Sequence, residues 1–318
     1  QGGATVAWDN PLGLNDLAYL SLNHDLFNHS GQGTRGYTAH YSVPYGHWLF
    51  SATGSASSYH QTQAGLDQDY VYSGDSTNLE LRASRQIYRD ASRKTGVSIA
   101  AFQRTGSNAV NDTEIEVQRR RVGGWLLGLN HREFIGNATL DANLSYKHGT
   151  GAFSALPAPE EAFGEGTSRM RLFMADLAVN APFNIGEQRF RYSALWRAQW
   201  NRTLLTPQDQ FAIGGRYTVR GFDGELNLMG ERGWLLRNDI GWAVGTTGAE
   251  LYAGIDHGQV GGPSTAYQLG TRLTGGAIGL RGTWQGLSYD VFVGAPISKP
   301  EGFRTAGVTG GFNLSFSF

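Results

Sequence analysis

Cysteine is absent from all 318 residues, which excludes a disulfide framework and any cysteine-based metal site. Long apolar runs are also missing. Stretches such as residues 122–129 are among the longest, far short of the roughly 18 residues that a membrane-crossing helix needs. Neither sign of charge dominates, with 26 Lys and Arg against 27 Asp and Glu and a pI near 6.8. No electrostatic footprint for nucleic acid follows from that balance. Proline is scarce at 9, so the chain is not a disordered Pro/Gly-rich linker. The nucleotide-binding pattern GxxxxGK[ST], the zinc-protease pattern HExxH and the hydrolase elbow GxSxG are all missing. No cofactor and no covalent chemistry are expected. The first residue is Gln1 and no secretory leader is visible, as expected of a mature or trimmed chain.

Glycine, by contrast, is abundant. The 45 present are about twice the usual ~7%. Glycine weakens helices but suits tight turns and strands whose backbones crowd their neighbours. Alternation of period two recurs from end to end. In residues 189–200, Phe190, Tyr192, Ala194, Trp196, Ala198 and Trp200 point one way, and Arg189, Arg191, Ser193, Arg197 and Gln199 the other. Residues 138–147 and 287–295 repeat the pattern, and the chain closes on Phe312, Leu314, Phe316 and Phe318 alternating with polar residues. A soluble β-sandwich also alternates. Two features argue against it: the segments run to roughly 9–15 residues where globular strands centre on about 5–6, and the polar face is rich in charge while the apolar face ends in aromatic residues.

Short turns fall near residues 11–16, 46–47, 89–94, 135–137, 184–186, 245–248 and 285–286. Longer loops fall near 27–36, 60–76, 107–112, 149–168, 203–231, 257–269 and 297–307. This strict alternation of short and long connections is that of periplasmic turns and extracellular loops. Seven of each separate fifteen strands. Bacterial barrels normally hold an even number, so one further strand is expected before Gln1. The sequence therefore predicts an all-β chain: a sixteen-stranded antiparallel transmembrane β-barrel, fifteen strands of which lie in residues 1–318.

Two short patterns carry little. Residues 31–36, GQGTRG, match the dinucleotide fingerprint GxGxxG, but that fingerprint must open a helix, and residues 37–45 alternate as a strand. His257 beside Asp256 lacks a placed nucleophile. Loop 203–231 is more informative. A loop of this length is uncommon without a function, and it holds Gly214, Gly215, Arg216, Tyr217, Thr218, Val219, Arg220, Gly221 and Phe222 in one run. Glycines around a basic-aromatic core suit a loop that folds back and packs closely on a wall.

That run resembles the VRGF/Y signature of the BamA/TpsB superfamily of outer-membrane barrels. The wider stretch through Gly230, Glu231, Arg232, Gly233 and Trp234 to Arg237 and Asn238 is similar to the TpsB branch, the transporters of haemolysins, filamentous haemagglutinins and contact-dependent growth-inhibition toxins. Residues 10–16, NPLGLND, resemble the turn after that branch's second barrel strand, and residues 41–44, YSVP, are similar to a run in its fourth. The resemblance spans essentially the whole chain. It implies a Gram-negative outer-membrane protein whose loop 203–231 folds into the lumen, with Arg220 pairing with an Asp of the thirteenth strand. The matching residue is Asp256, which shares its face with Tyr252 and Gly254 by alternation. Such a pair in a wet lumen would contribute modestly to stability while fixing the loop tip. The family's periplasmic POTRA domains and plug helix would precede the first strand and are not in this sequence.

Phe312, Leu314, Phe316 and Phe318 resemble the C-terminal signal read by the barrel-assembly machinery. The expected partners are a secreted TpsA-type exoprotein, that machinery during insertion, and outer-membrane lipid. Translocation of a large unfolded exoprotein from periplasm to cell surface is the favoured function. Two alternatives stand beside it: a BamA-type role in assembling other outer-membrane proteins, and a solute porin or barrel enzyme.

Overall fold

The computed structural model describes residues 2–25, 32–64, 69–245 and 247–316. Eighteen strands follow one another: β1 (Gly2–Asp9), β2 (Leu17–His24), β3 (Gln32–Tyr45), β4 (Trp48–Ala64), β5 (Asp69–Arg89), β6 (Arg93–Val110), β7 (Thr113–Glu114), β8 (Arg120–Ile135) and β9 (Ala138–Thr150). They continue with β10 (Arg171–Ile185), β11 (Gln188–Asn201), β12 (Phe211–Ile213), β13 (Leu228–Gly230), β14 (Arg232–Ala243), β15 (Ala249–Gly261), β16 (Arg272–Trp284), β17 (Leu287–Ser298) and β18 (Thr309–Phe316). Fifteen form one path, β1 to β6, β8 to β11 and β14 to β18; β7 pairs with β6, and β12 with β13. This matches the fifteen strands counted from sequence. The GQGTRG run enters β3 rather than a helix, so no dinucleotide site forms there, and its Gly31 lies outside the described residues.

The expected loop 60–76 is shorter than its composition suggests. Residues 60–64 continue β4, and 69–76 belong to β5, which reaches 21 residues. At about 3.3 Å per residue, such a strand far exceeds an apolar band ~25 Å tall. Beyond that band both faces of a strand are wet, so alternation fades from the sequence while backbone pairing continues. The turns at the other end stay tight. Gly46 opens the two-residue β3–β4 turn at φ 59°, the backbone a short hairpin requires. In the turn at 10–16, the Asp16 carboxylate accepts the Leu12 and Leu14 N–H groups (3.3 and 3.2 Å), and Asn10 Oδ1 accepts that of Asn15 at 2.7 Å.

The chain divides into two compact units. The first comprises Gln1–Ile87, Gly96–Leu129 and Tyr146–Arg171. Its register aligns one rung of short polar side chains: Thr5 opposite Ser21, Ser21 opposite Thr38, Thr38 opposite Ser55, and Ser55 opposite Asn78. The adjacent rung on the other face reads Val6, Leu20, Ala39, Gly54 and Leu79. The second unit comprises Tyr88–Thr95, Asn130–Ser145 and Leu172–Phe318. Its apolar face leaves Leu251, Ile255, Ile278, Val291, Val293, Phe312, Leu314 and Phe316 exposed. A contiguous uncovered aliphatic face of this extent is foreign to a water-soluble monomer and suits lipid. Trp196 and Trp200 share this face, with ring centroids 5.9 Å apart. Brominated lipid should quench both in single-Trp variants, and an unquenched pair would reverse the assignment of faces.

Candidate functional site

Loop 203–231 returns onto the polar face of β14 to β17, and local chemistry explains how. Gly214 and Gly215 form a turn closed by Thr218: both glycine N–H groups donate to Thr218 Oγ1 at 3.1 Å, and the Thr218 N–H donates to the Gly215 carbonyl at 2.9 Å. The turn delivers Val219, Arg220, Gly221 and Phe222 to the wall, all four buried. Val219 and Phe222 join Phe211, Ile213 and Leu228 of the loop, Leu235, Val260 and Leu273 of β14 to β16, and Phe303 in one apolar cluster. Phe222 meets Phe303 edge-on at 5.9 Å. Burying each such side chain contributes about 1.5–3 kcal/mol, so the loop carries its own hydrophobic core.

Glycines on the wall make the close approach possible. A Cβ at Gly275 would overlap the Arg220 carbonyl oxygen. A Cβ at Gly294 would stand 3.0 Å from the Gly221 nitrogen, tighter than ordinary van der Waals contact. Gly221 itself adopts φ 97°, where an L side chain is strained. The loop tip therefore rests backbone on backbone.

Arg220 is the polar centre of the contact. Its Nε donates to Asp256 Oδ2 and its Nη2 to Asp256 Oδ1, both at 2.7 Å, and its backbone N–H donates to Oδ2 at 2.9 Å. Nη2 also donates to Asp239 Oδ1 at 2.6 Å. The expectation of a wet ion pair is corrected here: Arg220 is 2% and Asp256 1% exposed, because the loop's apolar cluster and the glycine wall exclude water from both. Breaking a buried pair costs about 3–5 kcal/mol when the survivor is stranded, far more than an exposed pair is worth. Around this pair lie further charges on the same face. Arg281 donates to Glu250 Oε1 at 2.7 Å, Arg191 to the same atom at 2.8 Å, and Tyr252 donates its hydroxyl proton to Asp290 at 2.8 Å. Asp256 and His257 point to opposite faces: His257 bonds Thr274 Oγ1 through Nδ1 at 2.8 Å and packs on Trp234. They do not form a catalytic pair.

The haemolysin secretion/activation family ShlB/FhaC/HecB matches residues 1–282 of the chain. The chain belongs to that family. The outer membrane transporter CdiB-2 of Burkholderia pseudomallei strain 1026b is 36% identical over 323 residues, covering 100% of this chain and 55% of that protein. The hemolysin transporter protein HpmB of Proteus mirabilis is 27% identical over 256 residues, covering 79% and 45%. The structure of CdiB from Acinetobacter baumannii superposes with a TM-score of 0.88 at 30% identity, over 99% of this chain and 56% of that one. The chain spans about half the length of the curated relatives it matches. It is an outer-membrane β-barrel chain of this ShlB/FhaC/HecB family, so its polar face lines the lumen, its apolar face meets lipid, and loop 203–231 lies inside.

Of the run singled out from sequence, Val219, Arg220, Gly221 and Phe222 sit in this contact, Gly214 and Gly215 form the turn before it, and Arg216 and Tyr217 are exposed; Asp256 is on β15. Phe312, Leu314 and Phe316 share the apolar face of β18; Phe318 lies outside the described residues. Sequence reasoning missed Asp239, Arg281 and the wall glycines. It also missed two clasps. The buried Glu231 accepts the Ser264 N–H and hydroxyl (3.2 and 3.0 Å). Asp223 accepts the Ala306 N–H at 2.6 Å and tethers loop 203–231 to the last loop. That N–H, with the one from Glu225, holds the Asp223 carboxyl below the usual carboxylate range. Alternation within strands could have flagged Asp239, since it shares a face with Arg237.

Proposed function

We propose that this chain forms the pore through which a large unfolded exoprotein crosses from periplasm to cell surface in two-partner secretion. The observation that carries the reading is the docked VRGF loop, a structured element of the lumen rather than of the surface. Membership in a family of secretion proteins supports it, and so does the lining of the first unit. The rung Thr5, Ser21, Thr38, Ser55 and Asn78 offers short neutral groups, each both donor and acceptor. An extended chain can exchange hydrogen bonds with such a rung in any register. In this reading residues 1–318 are the translocator barrel, Phe312, Leu314, Phe316 and Phe318 its assembly signal, and no residue performs covalent chemistry. The partners are the TpsA-type exoprotein, the barrel-assembly machinery and outer-membrane lipid. The driving force comes from the cargo, through folding outside that opposes backsliding.

The test places a photo-cross-linking residue at Ser55, on the lumenal face of β4, or at Leu81, on the lipid face of β5, in the full-length protein. An exoprotein stalled in transit should cross-link to position 55 and not to 81. Equal or absent cross-linking at both would remove the pore reading.

A further inference from the structure

Arg220 is not the sole guanidinium within reach of its two carboxylates. Arg237 Nε lies 3.7 Å from Asp256 Oδ2, and Arg281 Nη1 lies 3.4 Å from Asp239 Oδ2. Both belong to the wall: Arg237 stands opposite Asp256 in the β14–β15 register, and Arg281 opposite Glu250 in β15–β16. The Arg220 and Arg281 guanidiniums also lie over the same Tyr252 ring, at 5.9 and 4.6 Å. We propose that Arg281 and Arg237 are positioning residues that compete with Arg220 for Asp239 and Asp256, and thereby set how tightly the loop is held.

The loop's docked and undocked states pair these acids differently. Docked, Asp256 and Asp239 are held chiefly by Arg220. Undocked, each would be a carboxylate on the lumenal wall that has lost its main cation, and a neighbouring guanidinium would still stabilise it. The wall already carries a replacement for each: Arg237 for Asp256 and Arg281 for Asp239. Loop release therefore strands neither acid. In the docked state the same two guanidiniums repel Arg220 across the shared carboxylates. Both effects have one sign, since each wall arginine lowers the preference for the docked loop. Removing Arg281 leaves no docked carboxylate alone, because Asp239 keeps Arg220 and Glu250 keeps Arg191. Arg281 gives the cleaner test, since Arg237 also donates to the loop carbonyl of Arg216 at 3.5 Å. A scaffold role would have the opposite sign: losing a wall arginine would loosen the site.

Residues 1–318 hold no cysteine, so in the full-length protein, with any cysteine outside them replaced by serine, Val219→Cys is the single thiol, at a position 0% exposed when the loop is docked. Its maleimide labelling rate in outer-membrane vesicles reads loop release. Arg281→Gln should slow labelling roughly threefold, the size of a modest ion-pair competition, and Arg281→Lys should stay near the unsubstituted rate. Arg220→Gln should speed labelling, and in that background Arg281→Gln should lose its effect, because competition acts only through Arg220. Faster or unchanged labelling in Arg281→Gln, or a slowing that persists without Arg220, overturns the proposal. So does a failure of Arg220→Gln to speed labelling. The readout is loop position, so these outcomes stand apart from whether cargo passes through the pore.

Discussion

Arg220→Ala in the full-length protein should lower cargo at the cell surface about tenfold or more, with barrel abundance and heat stability unchanged. The substitution removes three side-chain hydrogen bonds from the loop tip to two carboxylates and leaves only the one from the Arg220 backbone N–H to Asp256. Charge-assisted bonds of this kind contribute about 1.5–3 kcal/mol each, enough together to release a loop. The barrel survives for a separate reason. Arg237 and Arg281 remain beside Asp256 and Asp239, and the strand pairing of β14 to β17 does not involve the loop. Heat-modifiable electrophoretic mobility checks the barrel, and surface cargo normalised to it checks the transport.

Gly275→Val should be as severe without touching any charge. Its side chain would occupy the space of the Arg220 carbonyl and approach the Phe222 ring, 3.4 Å from the Cβ position. The wall backbone cannot retreat, because Gly275 lies in the β15–β16 and β16–β17 ladders, so the loop must. Overpacking a closed contact costs about 1–3 kcal/mol, occasionally more, and here the whole cost falls on docking. Thiol labelling at Val219→Cys should rise and secretion should fall together. Tight docking with normal secretion in Gly275→Val would show that the close backbone approach is dispensable. Gly307→Val, with nothing within 4 Å of its Cβ position, serves as the matched control.

Much of this fold was legible because a membrane strand writes its two environments into alternate residues. Residues 189–200 and 249–257 could be assigned to faces by alternation alone, which put Asp256 and Tyr252 together. The tight turns were legible for a related reason, as Gly46 and the Asn10–Asp16 run are residues their backbones demand. What the sequence concealed was non-local. Strands β4 and β5 outrun the membrane, where both faces are polar and alternation stops marking a strand. The burial of Arg220 depends on an apolar cluster whose members Val219, Phe222, Leu235, Leu273 and Phe303 come from four places along the chain. The wall glycines, Gly275 and Gly294, stand on different strands. Their excess in the composition signalled crowded backbones but not which loop would crowd them. Asp223 lies just past the Val-Arg-Gly-Phe core, and its partner Ala306 lies 83 residues away.

The central claim is that Arg220 and Asp256 act as one anchor whose integrity secretion requires. It is tested most directly by a double-substitution cycle in the full-length protein, with surface cargo normalised to barrel abundance. Arg220→Ala and Asp256→Ala should each reduce secretion strongly, and the double variant should be little worse than either, because coupled partners are non-additive. Fully additive losses would break the pairing as a functional unit. Normal secretion by Arg220→Ala at normal abundance would contradict the role of the docked loop altogether.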